Sequence, residues 1–320
     1  MATQSQPGAR PVARCLVWFT ALLALAYIGA RLPGPFVLLD NLSNFPFHFA
    51  LAFLACAAAL ALRGRHLIAL AAASLALLPI AQVAPWYFDQ DAPGGSATGP
   101  PVKFLISNVY YANRQHDRIQ SLIAREDPDL VGLIEIDSAW VSGLDVLRRR
   151  YPFRYESPDE RYVGLGLYSR MPLVNARTLR LPGSGLPMIA ATLATPAGDA
   201  EIILVHLPAS LDADQEVRRR NDHARQFALH VRGLGKPTVV AGDFNMTMWN
   251  RGYDALAKVG GLANARAGHG VGPTWPALWR LGVPIDHILA TDGVRLGNFR
   301  GLPSVGSDHL PIAAEIAVNR

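Results

Sequence analysis

Three apolar segments crowd into the first 84 of 320 residues, Cys15 to Ala30, Phe45 to Leu62 and Leu67 to Ala84, and they decide what this part of the chain can be. A membrane-spanning helix needs about 20 mostly apolar residues, and ~17 at the short end. The second and third segments meet that length. The first meets it if Arg14 and Arg31 extend their side chains to the two interfaces. Basic residues then set the orientation. Arg10 and Arg14 precede the first segment, and Arg63 and Arg65 sit in the turn between the second and third. The opposite side carries Arg31 with Asp40, Asp89 and Asp91. By the positive-inside rule the N-terminus is cytoplasmic and everything after the third segment is outside. Reading the first segment as a signal peptide leaves that orientation unchanged. The expectation is an integral protein of a bacterial inner membrane with its C-terminal domain in the periplasm. Trp86 and Tyr87 suit an interfacial aromatic anchor, and His48 is expected to snorkel or to bond between helices near a span end.

Composition agrees once it is divided along the chain. Half of the residues are apolar and 17% are charged, against about 25% charged in an average soluble protein. The shortfall lies in residues 1–88, the expected membrane anchor. Residues 89–101 are rich in Pro, Gly and Asp and read as a linker with an r.m.s. reach of about 20 Å. Residues 102–320 read as an ordinary globular domain, held close to the membrane. Cys15 and Cys56 both lie within apolar runs and offer neither a disulfide framework nor a metal spacing.

In the globular part, strands are expected at Val102–Val109, Leu130–Ile136, Val163–Tyr168, Met188–Ala194, Glu201–Leu207, Thr238–Ala241, Ile285–Ala290 and Pro311–Ala317. Helices are expected at Asp117–Arg125, Ala139–Arg149, Gln215–Arg232 and Tyr253–Val259. Strands outnumber helices and often follow one another directly, which predicts an α+β fold or a layered sandwich rather than strict βαβ alternation.

Polar residues close several of these apolar runs. Thr238 to Asn245 is a β-branched run ending in Gly242, followed by Asp243 and Asn245. Strand alternation turns those two side chains toward one site, and the glycine allows close approach of a backbone or ligand. Asn108 ends the first strand, Glu135 follows Leu133-Ile134, and His206 follows Ile203-Leu204-Val205. Asp286 stands between Ile285 and His287, and Asp308 and His309 precede Leu310-Pro311. A buried carboxylate such as Glu135 needs a cation or a strong donor network. Singly, each has a structural explanation: a turn cap, a salt bridge or a satisfied core histidine. Together Asn108, Glu135, Asp243, Asn245 and Asp308 form an oxygen-rich set suited to Mg²⁺ or Mn²⁺, with His206, His309 and Asp286 left for proton transfer and phosphate contact.

In that order the motifs Ser-Asn108, Leu-Ile-Glu135, Val-His206, Gly-Asp243-Phe-Asn245, Ile-Asp286-His and Ser-Asp308-His309-x-Pro resemble the endonuclease/exonuclease/phosphatase superfamily. Its members include pancreatic-type deoxyribonucleases, neutral sphingomyelinases, inositol phosphate phosphatases and apurinic-site endonucleases. The resemblance implies a four-layer αββα sandwich, here preceded by three transmembrane helices. It also implies a Mg²⁺-dependent phosphodiesterase in which Glu135, with Asn108 and Asp308, holds the metal. His309 would be the general base, with Asp286 fixing its tautomer. Asp243 and Asn245 would orient the nucleophile and a phosphoryl oxygen. His206 would contact phosphate, as in the nuclease and sphingomyelinase branches. His287 is expected on the opposite strand face, without a role.

The implied substrate is a phosphodiester, either a lipid head group or envelope metabolite presented by the bilayer or, alternatively, nucleic acid. A non-catalytic binding module on the same fold is the remaining alternative. From residue 98 onward the chain has 25 Lys+Arg against 22 Asp+Glu, so charge makes no strong case for nucleic acid. Arg148–Arg150 and Arg218–Arg220 read as solvated helix faces. Trp249, Trp275 and Trp279 are expected either to rim the site or to pack in the core.

Overall fold

Alternation along the strands builds this molecule. In the computed structural model, Val102–Asn108 (β1) turns Phe104 and Ile106 to one side and Leu105 to the other, and all three are fully buried. A strand buried on both faces needs a layer on each. The structure describes residues 9–32, 34, 36–88, 99–181, 186–210, 213–278 and 281–318.

After β1 come His116–Glu126 (α6), Leu130–Ile134 (β2), Ser138–Gly143 (α7), a 3₁₀ turn at Asp145–Arg149, Phe153–Ser157 (β3) and Leu165–Ser169 (β4). Leu173–Leu179 (β5), Met188–Thr195 (β6), Gly198–His206 (β7) and Asp214–Gly233 (α8) follow. The chain ends with Thr238–Asp243 (β8), Arg251–Gly260 (α9), Ala263–Asn264 (β9), Asp286–Ala290 (β10), Val294–Gly301 (β11) and Ile312–Val318 (β12). Preceding all of these are Ala9–Gly29 (α1), Val37–Leu42 (α2), Pro46–Leu62 (α3), His66–Val83 (α4) and Pro85–Phe88 (α5).

The strands form two six-stranded sheets, ordered β11-β12-β1-β2-β4-β3 and β5-β6-β7-β8-β10-β9. Phe104, Ile106, Leu167, Ile189, Leu204, Val239, Ala241 and Ile288 fill the space between them. On the outer face of the first sheet, Leu105, Val131 and Leu133 pack on Ile119, Ile123 and Trp140 of α6 and α7. On the outer face of the second, Val205, Val240 and Leu289 pack on Phe227, Val231, Tyr253 and Leu256 of α8 and α9. The layers run α, β, β, α, the sandwich that the sequence resemblance implies.

Each sheet has one parallel pair at its centre, β1 with β2 and β7 with β8. The C-terminal ends of these pairs meet at one edge of the sandwich. Gly242 (φ +145°) makes the second pair possible, because a Cβ there would lie 1.9 Å from the Val205 carbonyl oxygen. The close approach expected of this glycine is therefore by the neighbouring strand.

Among the described residues, twelve strands stand where the sequence shows eight. The additional ones include β3 and β5, half-exposed edge strands without an apolar run, and β11, which alternates polar and apolar residues. The expected helix Ala139–Arg149 is broken into α7 and the 3₁₀ turn.

Among the described residues, two helices are long and apolar enough to cross a membrane, Pro11–Gly29 and His66–Val83. The second apolar segment forms a helix of 17 residues, Pro46–Leu62, at the short end of the spanning range. Length therefore separates the segments differently from the sequence reading, in which the first was the marginal one. Only 17% and 28% of the two long spans is buried. Trp18, Leu22, Leu25, Leu67, Leu70 and Leu77 face outward, which distinguishes these helices from core helices of a soluble domain.

The helical unit is seated on the globular domain. Asn44 Oδ1 accepts from both the amide and the hydroxyl of Thr247 at 3.0 Å, and the Trp249 indole donates to Gln82 O at 3.1 Å. Trp249 is thus a docking residue that packs against the outer core of the second sheet, the other of its two expected places; Trp279 lies outside the described residues. Arg220, expected on a solvated helix face, is 1% exposed and bound to Asp40. His48 does not bond between the apolar helices: its Nε2 lies 2.5 Å from the carbonyl oxygen of Leu281.

Candidate active site

Strand parity carries most of the candidate residues to one edge. Asn108 shares the parity of Phe104 and Ile106, so it turns inward between the sheets where the apolar run stops. Likewise His206 follows Ile202 and Leu204, Asp243 follows Val239 and Ala241, and Asp286 precedes Ile288 and Ala290. Four polar side chains thus arrive at the end of the inter-sheet core from four strands.

Glu135 reaches the site differently. The inward residues of β2 are Leu130 and Ile134, so simple alternation would point Glu135 away. Its backbone is left-handed, φ +65°, and this turns the side chain back to the cleft, where it is 13% exposed. Strain of this kind persists only where surrounding contacts fix it. Here Tyr111 N donates to Glu135 Oε2 at 3.1 Å and Asn108 Nδ2 donates to Oε1 at 2.8 Å.

Asn108 Nδ2 also reaches across the sandwich to Asp243 Oδ2 at 3.1 Å. Asp243 Oδ1 accepts from Asn245 N at 2.8 Å, and Asn245 Nδ2 donates to Leu207 O at 2.9 Å. His206 Nε2 lies 3.8 Å from Glu135 Oε1 and 3.7 Å from Asp243 Oδ2. His309 Nδ1 meets Asp286 Oδ2 at 2.9 Å, and its Nε2 lies 3.7 Å from Asp243 Oδ2. Asp308 borders the same cavity, of ≈ 660 Å³, but its Oδ2 is occupied by the Trp275 indole at 3.1 Å. Asp308 thus stands on the wall, while Glu135, His206 and Asp243 converge as one group of potential metal ligands and Asp243, Asp286 and His309 as another.

Burial pushes the Asp243 carboxyl up to about 6, against the attraction of His309 and His206. Burial alone would lower His309. The carboxylates of Asp286 and Asp243 outweigh it and push the imidazole up to about 10. Asp286 is held below the ordinary carboxylate range: burial works to raise it, and the facing His309 more than offsets that. The site therefore concentrates negative charge around one imidazolium. No Lys or Arg pairs with Glu135 or Asp243 among the described residues, and the buried His206 Nδ1 has no hydrogen-bond partner. Unpaired buried carboxylates beside an imidazole fit a hard divalent cation.

His287, on the opposite face as expected, is buried with Nε2 2.9 Å from Met246 O and Nδ1 3.1 Å from Asn264 Nδ2. Several supporting residues gave no sequence signal. Ser307 Oγ donates to Asn108 O at 2.8 Å and accepts from His309 N at 3.0 Å, joining the two ends of the site. Thr274 Oγ1 accepts from the amides of Ile285 and Asp286. Arg266 is fully buried beneath Asp286, donating to its carbonyl at 2.9 Å while covering the Phe299 ring.

A model of the endonuclease/exonuclease/phosphatase family matches residues 105–309, nearly the whole sandwich. The chain belongs to that family. The family match and the fold together make it a phosphoesterase-type hydrolase. Among solved structures, an endonuclease/exonuclease/phosphatase from Beutenbergia cavernae is 20% identical, TM-score 0.55, over 68% of this chain and 72% of that one. A sphingomyelinase C from Streptomyces griseocarneus is 17% identical, TM-score 0.52, over 68% and 99%. A 3′ phosphatase from Neisseria, bound to a product DNA hairpin, is 20% identical, TM-score 0.56, over 67% and 98%. At these identities the likeness is one of fold. No curated protein matches.

Proposed function

We propose that this protein is a membrane-anchored, Mg²⁺-dependent phosphodiesterase that hydrolyses a phosphodiester presented at the outer face of the membrane, a lipid head group above all. The anchor is α1, α3 and α4, with the N-terminus and the Arg63–Arg65 turn cytoplasmic and the sandwich outside. Glu135, with Asn108 and Asp308, would hold the metal, and Mn²⁺ would also fit this donor set. Bound there, the cation would neutralise the carboxylates and polarise a phosphoryl oxygen.

The protein's own groups do the rest. Asp286 fixes the His309 ring through Nδ1 and leaves Nε2, on the Asp243 side, as the nitrogen that exchanges a proton. This is the arrangement of a general acid–base. Asp243 and Asn245 line the cavity beside it and orient the attacking water and a phosphoryl oxygen. His206, on the same wall, contacts the phosphate.

The observation that supports a lipid substrate is the loop between Thr274 and Val283. At one end Trp275 lines the cavity, is 39% exposed and holds Asp308. At the other, the Leu281 carbonyl is bound to His48, in the first turn of α3. Between them Leu278 is 91% exposed. The rim of the site is thereby placed level with the start of an apolar helix, where an exposed leucine suits the bilayer boundary.

In full-length protein reconstituted in vesicles, the double substitution Leu278→Asp and Leu281→Asp should lower turnover of vesicle phospholipid about tenfold. It should leave a small soluble diester hydrolysed at the ordinary rate. Equal effects on both substrates would remove the lipid reading and favour a tethered nuclease. In that case Tyr111 and Tyr162, with ring centroids 5.7 Å apart, would be the place for a base to stack.

A further inference from the structure

A second cavity, of ≈ 580 Å³, opens where the apolar helices meet the sandwich and shares no lining residue with the first. Its wall combines Arg31, just beyond α1, with Gln82 at the end of α4, Trp86 in α5, and Trp249 and Arg251 at the start of α9. None of the catalytic candidates contributes to it.

Two guanidinium groups share this wall. Arg31 donates to the carbonyls of Trp249 at 3.5 Å and Ser43 at 3.2 Å and lies over the Tyr27 ring. Arg251 donates to the carbonyl of Leu32. Neither has a carboxylate partner among the described residues, and Arg31 Nε is buried with no partner at all. Asp254 is the one acid on the wall, and it is engaged with Lys258 at 2.8 Å. Two cations on one wall, against a single acid that is already engaged, leave the cavity net positive. Guanidinium forks match phosphate oxygens in geometry and charge, and Trp86 and Trp249 supply the amphipathic rings found at head-group level.

We infer that this cavity is a binding site for a phosphate anion, seated between Arg31 and Arg251 where α1 and α4 leave the apolar layer, and distinct from the catalytic cleft. That position makes the phosphate of an anionic phospholipid the natural source. Free phosphate shares the chemistry. The inference uses the membrane reading of the helices and none of the proposed catalysis. A bound head group would tie α1, α4 and α9 together and stiffen the seat of the domain on its anchor.

The test uses full-length protein in detergent micelles, titrated separately with dioctanoyl phosphatidylglycerol, dioctanoyl phosphatidylcholine and inorganic phosphate. The readouts are the thermal midpoint and the lipid count per chain by native mass spectrometry. Phosphatidylglycerol should raise the midpoint and be retained at one per chain, with phosphatidylcholine about tenfold weaker or more. The shift should persist in Glu135→Gln, which alters the other cavity, and vanish in Arg31→Gln/Arg251→Gln. If inorganic phosphate gives the same arginine-dependent shift, the site stands and free phosphate is its source. Should the double variant fail to fold, the wild-type comparison of the two lipids decides: equal retention overturns the inference. So does a shift that survives loss of both arginines or disappears in Glu135→Gln.

Discussion

Arg220 Nη2 lies 2.9 Å from both carboxylate oxygens of Asp40, and the two side chains are 1% and 3% exposed. One residue belongs to α8 of the sandwich and the other to α2, between the first and second apolar helices. Asn250 Nδ2 adds a bond of 3.2 Å to the same carboxylate. The two parts of the chain are thus joined through a buried ion pair, in addition to the covalent connection through residues 89–101.

Removing one partner of such a pair strands the other charge, at a cost of about 3–5 kcal/mol. Asp40→Ala should destabilise the full-length protein by that order in urea unfolding. Asp40→Leu with Arg220→Met, which buries neither charge, should recover much of the loss. An Asp40→Ala protein as stable as the parent would show that the pair does not secure the docking.

Asp286 and His309 give a catalytic prediction. Asp286→Asn retains the shape but cannot hold the imidazole by charge, so kcat should fall about 10²- to 10⁴-fold with little change in KM. The loss in Asp286→Asn/His309→Ala should barely exceed that of His309→Ala alone, because the pair acts as a unit. Additive losses, read from steady-state kinetics on a soluble diester, would separate the two residues.

His287 sets an acid limit on stability. Burial lowers it to about 3, Arg266 adding to the effect, while in the unfolded chain it titrates near 6.5. A group with a depressed folded value gives stability that is complete above the unfolded value and is lost as pH falls from ~6.5 toward 3. The slope is on the order of 1 kcal/mol per pH unit. His287→Gln should be less stable at pH 8 and show a flatter decline between pH 6 and 4. Parallel declines in parent and variant would exclude His287 as the titrating group.

The site was legible because its residues interrupt apolar runs. Asn108, His206, Asp243 and Asp286 each replace the next inward apolar residue at a strand end, a pattern visible in the letters alone. Glu135 was visible for the same reason, but the left-handed turn that aims it was not, since Glu carries no preference for that conformation. Asp308 was legible as part of the Ser-Asp-His run, but its contact with Trp275, 33 residues earlier in a loop with no periodic pattern, was not. The docking of the anchor was hidden altogether. Asp40 and Arg220 are 180 residues apart, and an arginine in the polar helix Asp214–Gly233 looks the same whether it faces water or an aspartate. Edge strands β3 and β5 were missed because one exposed face dilutes the alternation on which strand recognition depends.

The proposed phosphodiester-hydrolysing centre needs a divalent cation held by Glu135. Hydrolysis of bis-p-nitrophenyl phosphate by the full-length protein in detergent tests it most directly, measured with Mg²⁺, with excess EDTA, and after Mg²⁺ is restored. Turnover should appear with Mg²⁺, vanish with EDTA and return on restoration. Glu135→Gln, folded to the same thermal midpoint, should be slower by about two orders of magnitude or more. Turnover that survives EDTA, or a Glu135→Gln enzyme of ordinary rate, would contradict it.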